Sequence, residues 1–268
     1  YLFVIFVPIS FLCAFFFNKL SHPVYQCTTT VLIEDDKRSP SGDMELLEGF
    51  GLFSSKKNLE NEISILKSYT LTSEAIEKID FSCFYYQDTR YLLKELYTDS
   101  PFRVIMDPSY SQPVNLYFTI KPLSVNEYII ETEGEEVNLY HYLQNEVTSK
   151  IPTIQFSEQH QFGSYITKPY CKFRIILRED IDPDKLLDNE YVFRFNNLNQ
   201  LALQYKKSLN IEPATKEGTV VSIYHQDKHP QKTTDFLNQF SQVYLEQNLE
   251  KKNRIAVNSD FCAIMRNF

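Results

Sequence analysis

A chain of 268 residues, 43% hydrophobic and 23% charged, can bury one large core or two modest ones; its 6 glycines and 12 prolines exclude a linker-like or collagenous chain. The formal charge of −8, with 27 basic residues scattered among 35 acids, argues against nucleic acid, whose binders need a basic stripe to neutralise phosphates. Phe (21) and Tyr (18) are abundant and Trp is absent, a usage that suits half-buried strand faces and predicts a sizeable β component.

Residues 1–17, YLFVIFVPISFLCAFFF, carry no charge. A bilayer core needs about 20 apolar residues, so a run of this length reads as a transmembrane helix. The first residue is Tyr rather than Met, and the run is therefore expected to be a truncated span within 1–19, with more chain upstream. Leu2, Phe3, Val4, Ile5, Phe6, Phe11, Leu12, Phe15, Phe16 and Phe17 form the apolar anchor; Pro8 is tolerated in such a helix, and Asn18-Lys19 mark the exit into water. A signal peptide fits less well, because Ser21-His22-Pro23 is a poor cleavage site. A core helix is rarely apolar on every face, and Cys13 lacks the small preceding residues of a lipoprotein cysteine.

Val24 to Glu34 is rich in β-branched residues and predicts a strand leaving the membrane. Asp35 to Lys57 reads as an excursion with a short helix around Met44–Leu47. Leu59, Ile63, Leu66 and then Leu71, Ala75, Ile76 and Ile79 recur at helical spacing, giving two helices broken near Tyr69-Thr70. Phe81 to Tyr86 returns to a strand pattern. Short strands are expected at Phe102–Met106, Leu116–Lys121, Tyr128–Glu131, Lys172–Arg178 and Tyr191–Phe195, as an antiparallel sandwich or barrel-like module. A helix over Leu198–Leu209 and a strand over Thr219–His225 follow. Pro230 then opens the clearest helix, with Phe236, Leu237, Phe240, Val243, Tyr244 and Leu249 on one stripe. If it reaches Met265 it exceeds about 50 Å, too long for an ordinary core, and should pack against other long helices or other subunits.

These elements predict an α+β chain: a membrane-anchored mixed α/β domain with a long C-terminal helix and an inserted antiparallel β module. The anchor occupies 1–19, the membrane-proximal domain 20–100 and 196–268, and the inserted module 101–195.

Little in the chain points to catalysis. Neither a G-x-G-x-x-G nor a G-x-x-x-x-G-K-[ST] phosphate loop occurs, and no G-x-S-x-G elbow. His225 and His229 are four apart, but one ends a strand and the other precedes Pro230, so they read as exposed loop histidines rather than zinc ligands. Asp180, Asp182 and Asp184 alternate as in a calcium loop, yet Lys185 and Tyr191 stand where the turn glycine and bidentate Glu belong, so a charged turn is expected. The acids are too many for any pair to be singled out for glycosidase work. Cys27, Cys83, Cys171 and Cys262 would face an oxidising compartment, but their spacings define no disulfide framework, and four cysteines permit three connectivities. No catalytic residue, cofactor or metal is expected in this segment.

Three stretches carry a family likeness: Tyr25 to Ile33, YQCTTTVLI; Asn61 to Ser68, NEISILKS; and Thr219 to Tyr244, a strand–Asp–x–x–Pro–helix with Pro230, Asn238 and Tyr244, continued by Glu246 to Ile255. In these the chain resembles the polysaccharide co-polymerases, the chain-length determinant (Wzz) family, including the periplasmic part of Wzc-type tyrosine autokinases. The resemblance covers about 1–80 and 215–260 and leaves the central module aside. It implies a homo-oligomeric ring on the bacterial inner membrane, with the bulk of the chain in the periplasm. Its partners would be the lipid bilayer, the polymerase or export machinery and the nascent polysaccharide, whose length or export the ring regulates. It also implies a second span beyond Phe268, with or without a kinase domain. Glu62, Leu66, Lys67, Phe240 and Tyr244 are the candidate contacts between copies. The alternative is a membrane-anchored sensor or adaptor ectodomain, which would oligomerise less or bind a small ligand.

Overall fold

The computed structural model describes residues 2–20, 23–33, 51–89, 92–179, 181–215 and 219–265. Its first elements are α1 (Leu2–Leu20), β1 (Tyr25–Leu32), α2 (Gly51–Leu66), α3 (Tyr69–Ile79), β2 (Cys83–Asp88) and β3 (Leu93–Leu96). Then come β4 (Phe102–Met106), β5 (Gln112–Pro113), β6 (Tyr117–Pro122), β7 (Glu127–His141), β8 (Glu146–Gln161), β9 (Tyr165–Lys168) and β10 (Cys171–Leu177). The chain continues through α4 (Pro183–Leu187), β11 (Glu190–Phe195), α5 (Leu198–Ser208), β12 (Asn210–Pro213), β13 (Val220–Asp227) and α6 (Pro230–Met265). It is a mixed α/β protein with antiparallel sheets and a long last helix, and it divides into two compact units. One comprises Tyr1–Tyr25 with Ser82–Asn197, the other Gln26–Phe81 with Leu198–Phe268.

The second unit is built on a three-stranded sheet in the order β1-β13-β12. Gln26 meets Gln226 side chain to side chain and Ile33 N donates to Thr219 O, so β1 and β13 run antiparallel. Helices α3, α5 and α6 contribute Leu71, Ala75 and Ile76, Leu201 and Ala202, and Phe236, Phe240 and Val243 to its core. The break between α2 and α3 falls at Lys67-Ser68 rather than at Tyr69-Thr70, because Ser68 is the N-cap: its hydroxyl accepts from Leu71 N at 3.2 Å. At the other end Asp80 takes the left-handed conformation (φ 62°) and its N–H bonds to Glu77 O, closing the helix. Helix α2 begins at Gly51, inside the expected excursion; no proline stands in 51–58 to stop it propagating backwards from Leu59. The helix expected around Met44–Leu47 lies outside the described residues.

The β unit holds two sheets, one ordered β4-β10-β9 and a seven-stranded one ordered β3-β2-β11-β6-β7-β5 with β8 on β7. They meet through an aromatic core. Phe118 on β6 stacks on Phe193 of β11 with centroids 4.9 Å apart, and Phe173 from β10 meets both edge-on at 5.6 Å. The expected strands are present, but the largest element was missing from them. Strand β7 runs for 15 residues and β8 for 16, paired along their length, where only Tyr128–Glu131 was expected. Most of this hairpin is polar and half exposed, so it is held by its backbone ladder and leaves little hydrophobic period to read. Glu136 adopts φ 54° in the stretch facing Pro152, which has no N–H to donate, and the register shifts between Leu139 and Tyr140. Nearby, an added Cβ on Gly134 would come within 2.4 Å of the Leu116 Cδ1, so a larger residue there would force the buried Leu116 side chain to shift.

The unit also begins earlier than the boundary expected at residue 101. Strand β2 pairs with β11 from Cys83↔Phe195 to Glu190↔Asp88, and β3 pairs with β2, so both strands belong to the β unit. The β2–β11 pairing joins residues about a hundred positions apart and leaves no local sequence trace.

In α1 every described side chain, Phe3 and Phe6–Phe17, is exposed. Among the described residues no helix is long and apolar enough to cross a membrane.

Candidate functional site

The residues singled out on helix faces fall into two groups. Leu66, Phe240 and Tyr244 are interior to the second unit, with at most 2% of their surface exposed, so they are core residues and not contacts between copies as expected. The helical stripe that identified Phe240 and Tyr244 is the face α6 presents to its own unit, and periodicity alone does not tell an internal partner from an external one. Tyr244 donates its hydroxyl to Glu62 at 2.7 Å, and burial with that carboxylate beside it raises the phenol's pKa. Glu62 thus also faces inward, to α6, while Lys67 is exposed. Next to them Gln247 donates to Glu74, and Lys78 bridges Glu74 and Glu246 at 3.1 and 2.7 Å. Leu2, Phe3, Val4, Ile5, Phe6, Phe11, Leu12, Phe15, Phe16 and Phe17 all lie on α1; the side chains of Leu2, Val4 and Ile5 are outside the described residues.

His225 is not the exposed loop histidine expected. It lies on β13 at 2% exposure, stacked on Tyr205 with centroids 4.8 Å apart and against Phe236 at 5.0 Å. Two residues on, Asp227 accepts from the Tyr205 hydroxyl at 3.1 Å and pairs with Lys232 of α6 at 2.9 Å, with Lys232 4% exposed. This cluster joins β13, α5 and the first turn of α6, and its arrangement is that of a structural pin. Asp182 caps α4 by accepting from Asp184 N, which is the charged turn expected there; Asp180 lies outside the described residues. Cys27, Cys83 and Cys171 are free thiols, Cys262 lies outside the described residues, and burial pushes the Cys171 thiol up to about 12, far from a reactive thiolate. Among the described residues no group of three or more His, Cys, Asp or Glu side chains could hold a metal ion.

One concavity in the β unit is missed by local patterning. It is a groove of about 910 Å³ in the β unit, within the size range of ligand sites. Two crossovers between the sheets create it: residues 97–101 carry the chain from β3 to β4, and residues 178–189, with α4, carry it from β10 to β11. Strand register puts Lys94, Gln87 and Tyr191 in line across β3, β2 and β11 at its edge, and Gln87 donates to Asn189 at 2.7 Å. Its floor is apolar, from Leu96, Ile176, Leu177 and Leu186. Its walls carry four cations, Lys94, Arg103, Arg178 and Lys185, against the carboxylates of Asp99, Glu179 and Asp182. This reverses the balance of the whole chain, 27 bases to 35 acids. The groove offers binding chemistry; the one sequence signal was the run of charges and turn formers from Arg178 to Lys185. No protein-family model matches the chain, and no curated protein matches its sequence.

Proposed function

We propose that the chain is the extracytoplasmic part of a membrane-anchored, homo-oligomeric polysaccharide co-polymerase, which regulates the length or export of a surface polysaccharide through its assembly rather than through a catalytic residue. The observation that carries this reading is the course of α6. Its inward stripe is buried from Phe236 to Tyr244, whereas Leu245 and Leu249, one turn apart, are 52% and 61% exposed. A helix of 36 residues, about 54 Å long, outruns the core it packs on, and an apolar strip on its outer part calls for another long helix. Helix α1 supports the anchor: it is apolar all round yet exposed in every described side chain, which is stable in lipid and costly in water. The co-polymerase likeness of the strand–Pro–helix segment supplies the polysaccharide, and the inner membrane and periplasm as the location. The sequence offers no motif for chemistry that would compete with this reading.

Sizing the complete protein in detergent tests the assembly. A ring of several copies is expected, and a strict monomer or dimer sinks the proposal. Deleting the gene should shift the length distribution or abolish export of the surface polysaccharide on gels; an unchanged pattern defeats the functional claim.

A further inference from the structure

We propose that the groove between the two sheet edges of the β unit binds an acidic oligosaccharide, a stretch of glycan bearing carboxylates. The inference rests on the polysaccharide-handling reading above and adds to it a site and a ligand charge.

The argument starts with which charges are spent. Asp99 accepts from Tyr97 N at 2.8 Å and Asp182 accepts from Asp184 N as the cap of α4, so both keep their charge, and Glu179 is the third acid of the lining. Lys94 and Arg178 pair with no acid among the described residues, and Lys185 stands 3.7 Å from Asp182 with 83% of its side chain exposed. The described lining therefore carries four cations to three carboxylates, a positive excess inside a chain of net −8, and a concave, low-dielectric wall focuses that field onto an anion.

The other lining groups select among anions. Leu96, Ile176 and Leu177 form an apolar floor, against which the C–H face of a sugar ring can lie, while Thr98 and the Gln87–Asn189 amide pair sit within reach of ring hydroxyls. Tyr191 is the sole aromatic ring among the described lining residues and is 5% exposed, so they offer no platform on which nucleic-acid bases could stack. A volume of about 910 Å³ accommodates a few sugar rings rather than a monosaccharide.

The test is calorimetric titration of the full chain in detergent with oligogalacturonate, a neutral glucan of equal length, and polyglutamate of equal charge. Oligogalacturonate should bind at least about tenfold more tightly than either competitor, and more weakly as salt is raised. Neutralising the two unpaired cations together, Lys94→Gln with Arg178→Gln, should weaken binding about tenfold, and the charge-preserving pair Lys94→Arg with Arg178→Lys should restore it. Both side chains are exposed, so folding is preserved, and Lys150→Gln on the β7–β8 hairpin, outside the groove, should bind as the unaltered chain does. Equal affinity for the neutral glucan, tighter binding of polyglutamate, or indifference to the double neutralisation would overturn the assignment. Loss of binding with length control intact removes the groove alone. Binding that persists while gene deletion leaves the surface polysaccharide unchanged removes the co-polymerase function and leaves the groove standing.

Discussion

His225 is held neutral by its surroundings. Burial lowers its pKa from 6.5 to about 4; Asp227 opposes that shift and Lys232 reinforces it. The unfolded chain takes up this proton near pH 6.5 and the native protein only near 4, so the unfolded state binds more protons between those values. Stability should then fall as pH drops through that window, by about 3 kcal/mol in all, and be fully present above it. His225→Phe, which keeps a ring against Tyr205 and Phe236, should flatten this dependence in urea titrations run from pH 7 to pH 4. A slope as steep as that of the unaltered chain would show that other groups carry the acid response. The sequence placed this histidine on a strand, although β13 runs two residues beyond it to Asp227. It did not reveal the burial, which comes from Tyr205 and Phe236 on two separate helices.

At the scale of elements, the helices were legible where one face is apolar at a steady period. Leu59–Leu66, Leu71–Ile79 and Phe236–Tyr244 each announced themselves this way, and Pro230 marked the start of α6. The β7–β8 hairpin was not, because its strands are stabilised by mutual hydrogen bonds and expose much of both faces. The charged groove was invisible for a related reason: Lys94, Arg103, Arg178 and Lys185 come together only when two crossovers close between sheets. The division of α6 into an inward and an outward part yields a prediction. Leu245→Glu with Leu249→Glu alters exposed positions only and should change the stability of the single chain by no more than about 0.5 kcal/mol per site. The same pair should disperse the assembly, moving the complete protein to a smaller species in light scattering. Dispersal accompanied by a large loss of stability would mean that these leucines serve the protomer's own fold.

For the whole molecule, the decisive feature is how the β unit is connected. The continuous segment Ser82–Asn197 interrupts the chain of the helical unit, and it is entered and left at adjacent points. Asn196 N donates to Ser82 O at 2.8 Å, Cys83 pairs with Phe195, and the Tyr142 hydroxyl donates to Asn196 O at 2.8 Å. Termini held this close are a property of domains that tolerate excision and insertion. Residues 82–197 also contain their own aromatic core in Phe102, Phe118, Phe173, Phe193 and Phe195, each at most 1% exposed. The segment expressed alone should fold as a β-rich, cooperatively melting protein with dispersed amide resonances, and Leu198–Met265 joined by a short turn to the chain ending at Phe81 should retain its helical signal. A segment starting at residue 101, where the sequence alone placed the boundary, should fail to fold, because it lacks β2 and so leaves one edge of β11 unpaired across the hydrophobic core. If the shorter segment proved as stable as the longer one, β2 and β3 would be appendages, and the groove they wall would have to be built from one sheet edge alone.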